Sequence, residues 1–266
     1  MTRFSIVLLD PSLRPAAQAL SDRLQAPVCE MTDWRECANT ELVLLVSADG
    51  LALADPEQPK VHPVRVDFED PALLRRLREA GAKRQDLAKA TGVAERTDIP
   101  VIDATAGWGR DSAVLAALGA NVYLFERNPV VAALLADGIE RARLSILPDV
   151  ASLAGRLLLR EGDAARLLVS DPPGGDFVVM MDPMFPERRK SAAVGKEMQF
   201  FHRLVGSDED SDQLLEAALA SGAARVVVKR PRKAPLLTDR KPTNQLVGKV
   251  TRFDIYALRS IKRAPC

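Results

Sequence analysis

The sequence predicts an α/β fold in which helices cover a mainly parallel sheet. Apolar strand-like runs alternate with helical segments along most of the chain, a pattern typical of such sheets. Residues 99–128 run as strand, glycine turn, helix and strand. A second buried run at 177–181 ends in Asp182 and Pro183, and ligands bind at the carboxyl ends of such strands. We therefore expect a Rossmann-like sheet with a ligand crevice at that edge.

The beginning of the chain is predicted to form a small α/β lobe. Its strands are predicted from short apolar or alternating runs, at residues 3–10, 42–46, 51–53 and 64–68. A helix is predicted over 11–24, because its apolar residues recur on one helical face. Trp34 is expected in the core of this lobe rather than on a base-stacking surface.

A basic connector at residues 71–96 follows the lobe and is predicted as two helices separated at Gly81. Its charges fit either contact with phosphates or a solvated helix face, and the sequence leaves both open. The domain organisation is therefore predicted as a lobe with its connector at 1–96 and a larger domain at 97–266.

The larger domain continues the alternation of helices and strands after residue 128. A helix is predicted over 130–143, where Pro129 suits the first turn. Another is predicted over 211–221, where the preceding acidic run complements the helix dipole. Further strands are predicted at 156–159, 177–181, 226–228, 247–250 and 253–258.

A turn of small residues follows the first strand of the 99–128 stretch. Gly107 and Gly109 in this turn let a ligand approach the backbone, and the N-terminus of the next helix offers free N–H groups. Glu126 ends the second strand, nineteen residues after Gly107, where ribose hydroxyls are usually bound. The stretch therefore predicts a nucleoside-binding βαβ unit.

The residues of this turn favour S-adenosylmethionine over a dinucleotide. The fingerprint G-x-G-x-x-G is not met, because Ser112 occupies the third glycine position. Asp103 also directs a carboxylate into the turn, where it would repel a pyrophosphate but suit an ammonium or sulfonium group. We therefore expect S-adenosylmethionine as the cofactor.

The motif after the 177–181 strand narrows the chemistry. The sequence DPMFP resembles the (D/N)-P-P-(Y/F/W) motif of amino-group methyltransferases, with Met184 in place of the second proline. An exocyclic amine is a weak nucleophile because its lone pair is delocalised into the ring. Hydrogen bonds to the Asp182 carboxylate and the Pro183 carbonyl would localise that lone pair, and Phe185 would stack on the base. These three residues are the candidate catalytic residues.

Four segments of the chain form a distinctive set, DATAGWGRDSAVLAALG, ERNPVVAALLADGI, DPMFPERRKSAAVGKEMQFF and VVVKRP. They resemble the RsmJ family of small-subunit ribosomal RNA guanine-N2 methyltransferases over roughly residues 60–258. The resemblance implies a class I S-adenosylmethionine-dependent methyltransferase fold with an antiparallel last strand. It implies methyl transfer to the exocyclic N2 of a guanine. The implied partner is small-subunit ribosomal RNA or the assembling 30S subunit.

The cofactor-binding residues are expected from motif position together with this resemblance. They are Asp103, Gly107, Gly109, Arg110, Asp111, Glu126, Arg127, Asp163, Ala164 and Asp182. Glu126 should hold the ribose, with Arg127 beside it. Asp163 falls where this methyltransferase class places a side chain against the adenine amine, and Ala164 should flank the adenine.

Basic residues that follow two strand ends are expected on the cofactor face, where RNA phosphates would approach. They are Arg188, Arg189, Lys190, Lys229, Arg230 and Arg232. The net charge of +1 does not itself indicate a nucleic-acid partner, so this expectation depends on the local clusters. Scattered charge for solubility is the alternative interpretation.

Composition excludes several classes of protein. The three cysteines and two histidines lack the spacing of a zinc site, so no metal is expected. The apolar run at 6–9 is short and Asp10 follows it, which argues against a signal peptide. No stretch approaches the roughly eighteen apolar residues of a membrane span. We therefore expect a cytoplasmic protein without membrane contact.

Two other functions stay open at the level of sequence. An adenine-N6 methyltransferase acting on DNA or RNA would need the same motifs, and guanine is favoured over adenine by the resemblance alone. A non-catalytic RNA-binding protein could use the same fold. The joint presence of Asp103, Glu126 and Asp182 favours an enzyme.

Overall fold

The computed structural model describes residues 4–37, 40–79, 85–184, 204 and 210–260. Contacts between residues group them into two compact units. The first contains the described residues of Met1–Asp67, Ala133–Arg141 and Phe185–Ser207, the last of which contributes residue 204. The second contains those of Phe68–Ala132, Ala142–Met184 and Asp208–Cys266. The predicted division of the chain after residue 96 stays a prediction.

A four-stranded sheet forms the described part of the first unit, in the order β2-β1-β3-β4. Its strands are β1 (Phe4–Leu8), β2 (Val28–Glu30), β3 (Leu42–Ser47) and β4 (Gly50–Ala54). β1 is parallel to both β2 and β3, whereas β4 returns antiparallel to β3 through a tight turn. Helix α1 (Arg14–Leu24) connects β1 to β2. The predicted hairpin arm is therefore confirmed as β4.

The core of this sheet contains the buried Trp34, which packs with Val7, Val43 and Leu45. The predicted core position of Trp34 is confirmed. The predicted strand at 64–68 is wrong, because only Val64 makes a bridge, to Leu53 of β4. The alternating pattern of that segment reflects burial of one of its faces and not a hydrogen-bonded ladder.

Two helices occupy the described part of the connector, as predicted. They are α2 (Pro71–Glu79) and α3 (Asp86–Thr91). The residue expected to separate them, Gly81, lies outside the described residues. Both helices belong to the second unit.

A seven-stranded sheet forms the centre of the described second unit, in the order β10-β11-β9-β8-β5-β6-β7. Its strands are β5 (Val101–Asp103), β6 (Val122–Glu126), β7 (Leu157–Glu161), β8 (Val178–Met181), β9 (Arg225–Pro231), β10 (Asn244–Val247) and β11 (Thr251–Ala257). The five strands β7, β6, β5, β8 and β9, which are neighbours in that order, are all parallel. β11 is antiparallel to both of its neighbours, β9 and β10. The antiparallel last strand that we expected is confirmed.

The described helices after β5 are α4 (Arg110–Ala117), α5 (Pro129–Arg143), α6 (Pro148–Ala154), α7 (Ala164–Ser170) and α8 (Ser211–Ala220). The middle of α5, Ala133–Arg141, is grouped with the first unit. Sequence analysis missed α6 and α7, since seven residues are too few to establish a helical period. The strand predicted at 247–250 lies earlier, as β10. Residues 248–250 instead form the turn into β11, in which the Gly248 N–H donates to the Thr251 carbonyl.

The strand order reverses beside β5, which pairs with β6 on one side and with β8 on the other. Such a switch point opens a crevice outside the carboxyl ends of the strands. Buried apolar side chains, among them Ile102, Val179 and Val226, hold the strands in register beneath that edge. Among the described helices, none is long and apolar enough to span a membrane.

Candidate active site

Charged side chains converge at the carboxyl edge of the seven-stranded sheet. Asp103 ends β5, Glu126 ends β6, Asp182 directly follows β8, and Lys229 lies near the end of β9. Because these strands are parallel neighbours, residues that are far apart in sequence meet at one edge. The glycine turn between β5 and α4 borders the same edge.

The glycine turn has the backbone conformation that its sequence predicts. Gly107 and Gly109 have φ values of +52° and +68°, in the left-handed region that side chains disfavour. Gly109 directly precedes α4, so the first N–H groups of that helix border the turn. Both glycines are buried, and their N–H groups donate within the protein, from Gly107 to Glu126 Oε2 at 2.9 Å and from Gly109 to the Ala106 carbonyl at 2.8 Å.

The Glu126 carboxylate is fixed by backbone N–H groups from both of its sides. Its Oε2 accepts from the Gly107 N–H at 2.9 Å, and its Oε1 accepts from the Asn128 N–H at 2.8 Å. The residue is only 5% exposed. These two bonds fix the orientation of the Glu126 carboxylate at the tip of β6.

Asp103 is a buried acid whose surroundings raise its pKa. The residue is 2% exposed, and its oxygens accept from the Ser112 hydroxyl at 2.6 Å and the Thr105 N–H at 3.2 Å. Burial raises the pKa of Asp103 to about 7, and the Ser112 hydrogen bond only partly opposes this. A cationic ligand beside Asp103 would therefore favour its ionised form. Ser112, which breaks the dinucleotide fingerprint, is the hydroxyl donor to this acid.

A chain of ion pairs connects the N-terminal turn of α4 with the end of β8. Lys229 Nζ donates to Oδ2 of Asp111 at 2.7 Å and to Oδ2 of Asp182 at 2.6 Å. Arg76 of α2 donates to the other oxygen of Asp111, at 2.7 Å. Burial alone would lower the pKa of Lys229, but the two carboxylates outweigh it and raise that pKa. Burial likewise opposes ionisation of Asp111, yet Lys229 and Arg76 lower its pKa.

Asp182 is held by its backbone as well as by its side chain. Its N–H donates to the Thr105 hydroxyl at 2.7 Å, which ties the DPMFP motif to the glycine turn. The side chain is 42% exposed. Partial burial raises the pKa of Asp182, with the Lys229 ammonium acting against it and the Asp111 carboxylate adding to it. Pro183, the next candidate catalytic residue, is buried.

The expected adenine-side residues lie at the tip of β7. Asp163 caps α7 by accepting from the Arg166 N–H at 3.0 Å, and Ala164 begins that helix. The Gly162 N–H donates to the Glu126 carbonyl at 2.9 Å, so this loop is joined to the tip of β6. The structure therefore brings Asp163 and Ala164 to the same edge as Glu126.

Arg127 and Arg110 are the two arginines among the expected cofactor-binding residues. Arg127 donates from Nη1 to both carboxylate oxygens of Asp210, at 2.9 and 2.7 Å, and these bonds lower the pKa of Asp210. Its guanidinium is thus directed to the start of α8. Arg110 is the first residue of α4 and is exposed.

The expected RNA-binding residues are separated by the structure. Arg230 is 1% exposed and donates to the Pro235 carbonyl at 2.9 Å, and Lys229 is held in the ion-pair chain. The burial of Arg230 and the two carboxylates bound to Lys229 argue against phosphate contacts by these two side chains. Arg232, just beyond the strand, is exposed.

Four expected site residues lie outside the described residues, namely Phe185, Arg188, Arg189 and Lys190. In the described part of the chain, no group of three or more His, Cys, Asp or Glu side chains could hold a metal ion.

Sequence reasoning missed three contributions to the site. The sequence marks Arg76 only as one charge of the basic connector, Thr105 only as one residue of the glycine turn, and Lys229 as a candidate phosphate ligand. Each acts through a partner that lies at least 35 residues away in sequence. The basic composition of the connector was a weak signal for Arg76, and no sequence signal pairs the other two with their partners.

Known proteins resemble this chain over most of its length. A family model described as "Putative SAM-dependent methyltransferase" matches residues 27–258. Proteins named ribosomal RNA small subunit methyltransferase J align with nearly the whole chain. The one from Dechloromonas aromatica is 46% identical over 96% of this chain and 100% of its own length. The one from Thioalkalivibrio sulfidiphilus is 45% identical over 96% and 98%.

The chain belongs to the RsmJ family. A crystal structure of an S-adenosylmethionine-dependent methyltransferase from Neisseria gonorrhoeae agrees with this assignment. It is 32% identical, covers 97% of this chain and 98% of its own, and superimposes with a TM-score of 0.71. The expected class I methyltransferase fold and the RsmJ resemblance are therefore confirmed.

The residues of the site fit the cofactor of this S-adenosylmethionine-dependent family. The Glu126 carboxylate is fixed at the tip of β6, and the buried Asp103 carboxyl is a group that a cation would complement. The positive φ values of Gly107 and Gly109 shape the turn that borders this edge. S-adenosylmethionine is therefore the cofactor, as expected from the sequence.

Replacing Asp103 with Asn should stabilise the cofactor-free protein in a pH-dependent way. Folded Asp103 keeps its proton up to about pH 7, whereas the unfolded chain releases it near 3.8. As the pH rises from about 5 to about 8, the free energy of unfolding of the wild type should therefore fall by roughly 2–3 kcal/mol relative to that of Asp103→Asn. Denaturant unfolding of both proteins at several pH values measures this difference.

The exposed Asp149 of α6 provides a matched control for this experiment. Asp149→Asn should keep a pH dependence parallel to that of the wild type. A stability difference between Asp103→Asn and wild type that stays constant from acid to alkaline pH would contradict the near-neutral titration of Asp103.

Proposed function

We propose that this protein transfers the methyl group of S-adenosylmethionine to the exocyclic N2 of a guanine in small-subunit ribosomal RNA. The observation that carries the proposal is the placement of Asp182. Its Oδ2 is bound by Lys229 and its N–H by Thr105, while its Oδ1 accepts no hydrogen bond from the described residues. The names of the relatives support small-subunit ribosomal RNA as the substrate. The choice of guanine N2 as the methylated atom is what the resemblance to the RsmJ family implies.

Residues of the sheet edge would divide the cofactor between them. Glu126 would accept the ribose hydroxyls, Asp103 would face the methionine ammonium, and Asp163 with Ala164 would flank the adenine. When bound, S-adenosylmethionine supplies a methyl group on a sulfonium centre that is open to in-line attack. Arg127, which binds Asp210, is not needed for this arrangement.

Catalysis would consist mainly of positioning and of redistributing charge on the amine. The amine would donate one N–H to Asp182 Oδ1 and another to the Pro183 carbonyl, which localises its lone pair. Both bonds strengthen as the nitrogen becomes tetrahedral, so they stabilise the transition state more than the ground state. Asp182 Oδ1 can then take the proton that the methylated amine loses. Phe185 would stack on the base, a role proposed from its place in the motif.

The RNA must present its base outside the helical stack. A guanine amine that is paired or stacked cannot reach the carboxylate, so we expect the base to be extruded before methyl transfer. Exposed Arg232, with Arg188, Arg189 and Lys190, which follow the DPMFP motif in sequence, would contact phosphates around the extruded base. Ribosomal RNA or an assembling 30S subunit in the cytoplasm is the partner that we propose.

The proposed product can be identified directly. Small subunits from cells that lack this protein would be incubated with the protein and with S-adenosylmethionine carrying a labelled methyl group. Nucleoside analysis should find the label in N2-methylguanosine. Label in N6-methyladenosine would favour the adenine alternative, and binding of RNA without any product would favour a non-catalytic role.

Removing the Glu126 carboxylate should weaken cofactor binding. Glu126→Ala should bind S-adenosylmethionine at least about tenfold more weakly, since a charge-assisted hydrogen bond contributes about 1.5–3 kcal/mol. Titration calorimetry measures the affinity, and thermal unfolding checks that the variant is folded. Glu140→Ala, at an exposed glutamate of α5, should bind as the wild type does. Unchanged affinity in folded Glu126→Ala would remove this residue from the cofactor site.

Removing the Asp182 carboxylate should separate RNA binding from chemistry. Asp182→Ala should slow single-turnover methylation by about two to three orders of magnitude, the effect of losing one preorganised electrostatic group. Asp182→Asn keeps an acceptor oxygen but not the charge, so its rate should lie between. RNA affinity should change little, because phosphate contacts dominate it. A wild-type single-turnover rate in Asp182→Ala would overturn the mechanism.

The proposed phosphate contacts predict a salt dependence. RNA affinity should fall steeply with salt, and replacing Arg189 and Arg232 together with Gln should reduce the slope of log affinity against log salt by roughly one to two units. Filter binding at several salt concentrations measures this slope, and cofactor affinity should be nearly unchanged. An unaltered slope would assign these arginines to solubility.

A further inference from the structure

We propose that Lys229 is a positioning residue for methyl transfer, whose ammonium group fixes the Asp182 carboxylate so that Oδ1 is kept for the target amine. This inference deepens the proposed function and depends on it for the identity of the amine. Lys229 itself does not contact the reacting atoms.

The register of the sheet places Lys229 beside Asp182. The last residue pair between β8 and β9 is Met181 with Val228, and both charged residues come next along their strands. Asp111 reaches the same ammonium from the first turn of α4. Lys229 Nζ therefore joins two strands and a helix, through contacts of 2.6 Å and 2.7 Å.

The second carboxylate, Asp111, fixes the ammonium in turn. One oxygen of Asp111 accepts from Lys229 and the other from Arg76, so this carboxylate is held from two sides. A lysine ammonium on its own is a mobile point charge on a flexible stem. Held by Asp111, the Lys229 ammonium donates to one oxygen of Asp182, which is Oδ2.

The charges around Asp182 make this cation necessary. Asp103 and Asp111 both disfavour a further negative charge at the sheet edge, and Arg230 acts in the opposite direction. Among the described residues, Lys229 is the cation that donates a hydrogen bond to Asp182. Without it, Asp182 would take up a proton more readily. A protonated carboxyl group is a much weaker acceptor for the N–H of the amine.

The ion-pair chain is poorly explained by stability alone. The side chains of Lys229 and Asp111 are only 25% and 13% exposed, so forming these pairs costs desolvation. Apolar replacements at partly buried ion pairs are often neutral or stabilising. A role in fixing Asp182 accounts for the cost.

The decisive experiment compares Lys229→Gln and Lys229→Arg with the wild type. Single-turnover methylation of small subunits from cells lacking the protein would be measured from about pH 5.5 to about pH 9, at saturating cofactor and RNA. Lys229→Gln should lose at least about tenfold in rate at neutral pH, and its acid limb should move upward by about one pH unit or more. Part of the rate should return at alkaline pH. Lys229→Arg should keep the wild-type acid limb.

A matched control is Lys249→Gln, which removes an exposed lysine in the turn between β10 and β11 and should leave the profile unchanged. A rate loss in Lys229→Gln that is equal at every pH would assign Lys229 to structure alone. A loss of cofactor affinity, with a normal rate at saturation, would assign it to cofactor binding. Either result would overturn the inference.

A second readout does not depend on the substrate. Nuclear magnetic resonance of carboxyl-labelled aspartates would follow the titration of Asp182 in the cofactor-free protein, with Asp182→Asn identifying its signal. The titration should move upward in Lys229→Gln and not in Lys249→Gln. If the titration moves but guanine N2 is not methylated, the proposed function fails while the coupling stands. If guanine N2 is methylated but the titration does not move, the inference alone fails.

Discussion

The parallel pairing of β5, β8 and β9 is the constraint on which the site depends. β8 is hydrogen-bonded to β5 on one side and to β9 on the other, with all three strands running the same way. Their carboxyl ends therefore place Asp103, Asp182 and Lys229 together, although the three residues come from separate parts of the chain. The buried apolar residues of the sheet fix the register, so a slip of one residue would turn these side chains to the opposite face.

The electrostatics of this edge are balanced for a cationic ligand. Asp103, Asp111 and Asp182 are close enough to influence one another, and Lys229 and Arg76 neutralise the latter two. Among the described residues, no cation donates a hydrogen bond to Asp103, and burial raises its pKa to about 7. A positively charged cofactor would supply the missing charge there. Ionisation of Asp103 is thus unfavourable at this low-dielectric edge without a cationic ligand and favourable with one. Such perturbed pKa values are common at functional sites.

One helix of the connector contributes directly to the charged edge of the seven-stranded sheet. α2 belongs to the same compact unit as the seven-stranded sheet, and its Arg76 binds Asp111. The basic character of residues 71–96 therefore has at least one structural explanation that needs no RNA. In the first unit, the buried Trp34 has the ordinary role of a core residue.

The sequence by itself determined the class of fold, the glycine turn with Glu126, and the motif at Asp182, because periodicity and turn chemistry are local properties of the chain. It misplaced β10 and missed α6 and α7, which are too short to show a period. Only the tertiary structure decided that Lys229 joins Asp182 to Asp111, 47 and 118 residues away. It also decided that Arg230 is buried against β11. These outcomes depend on which strands become neighbours, and that order is set by the packing of the whole sheet.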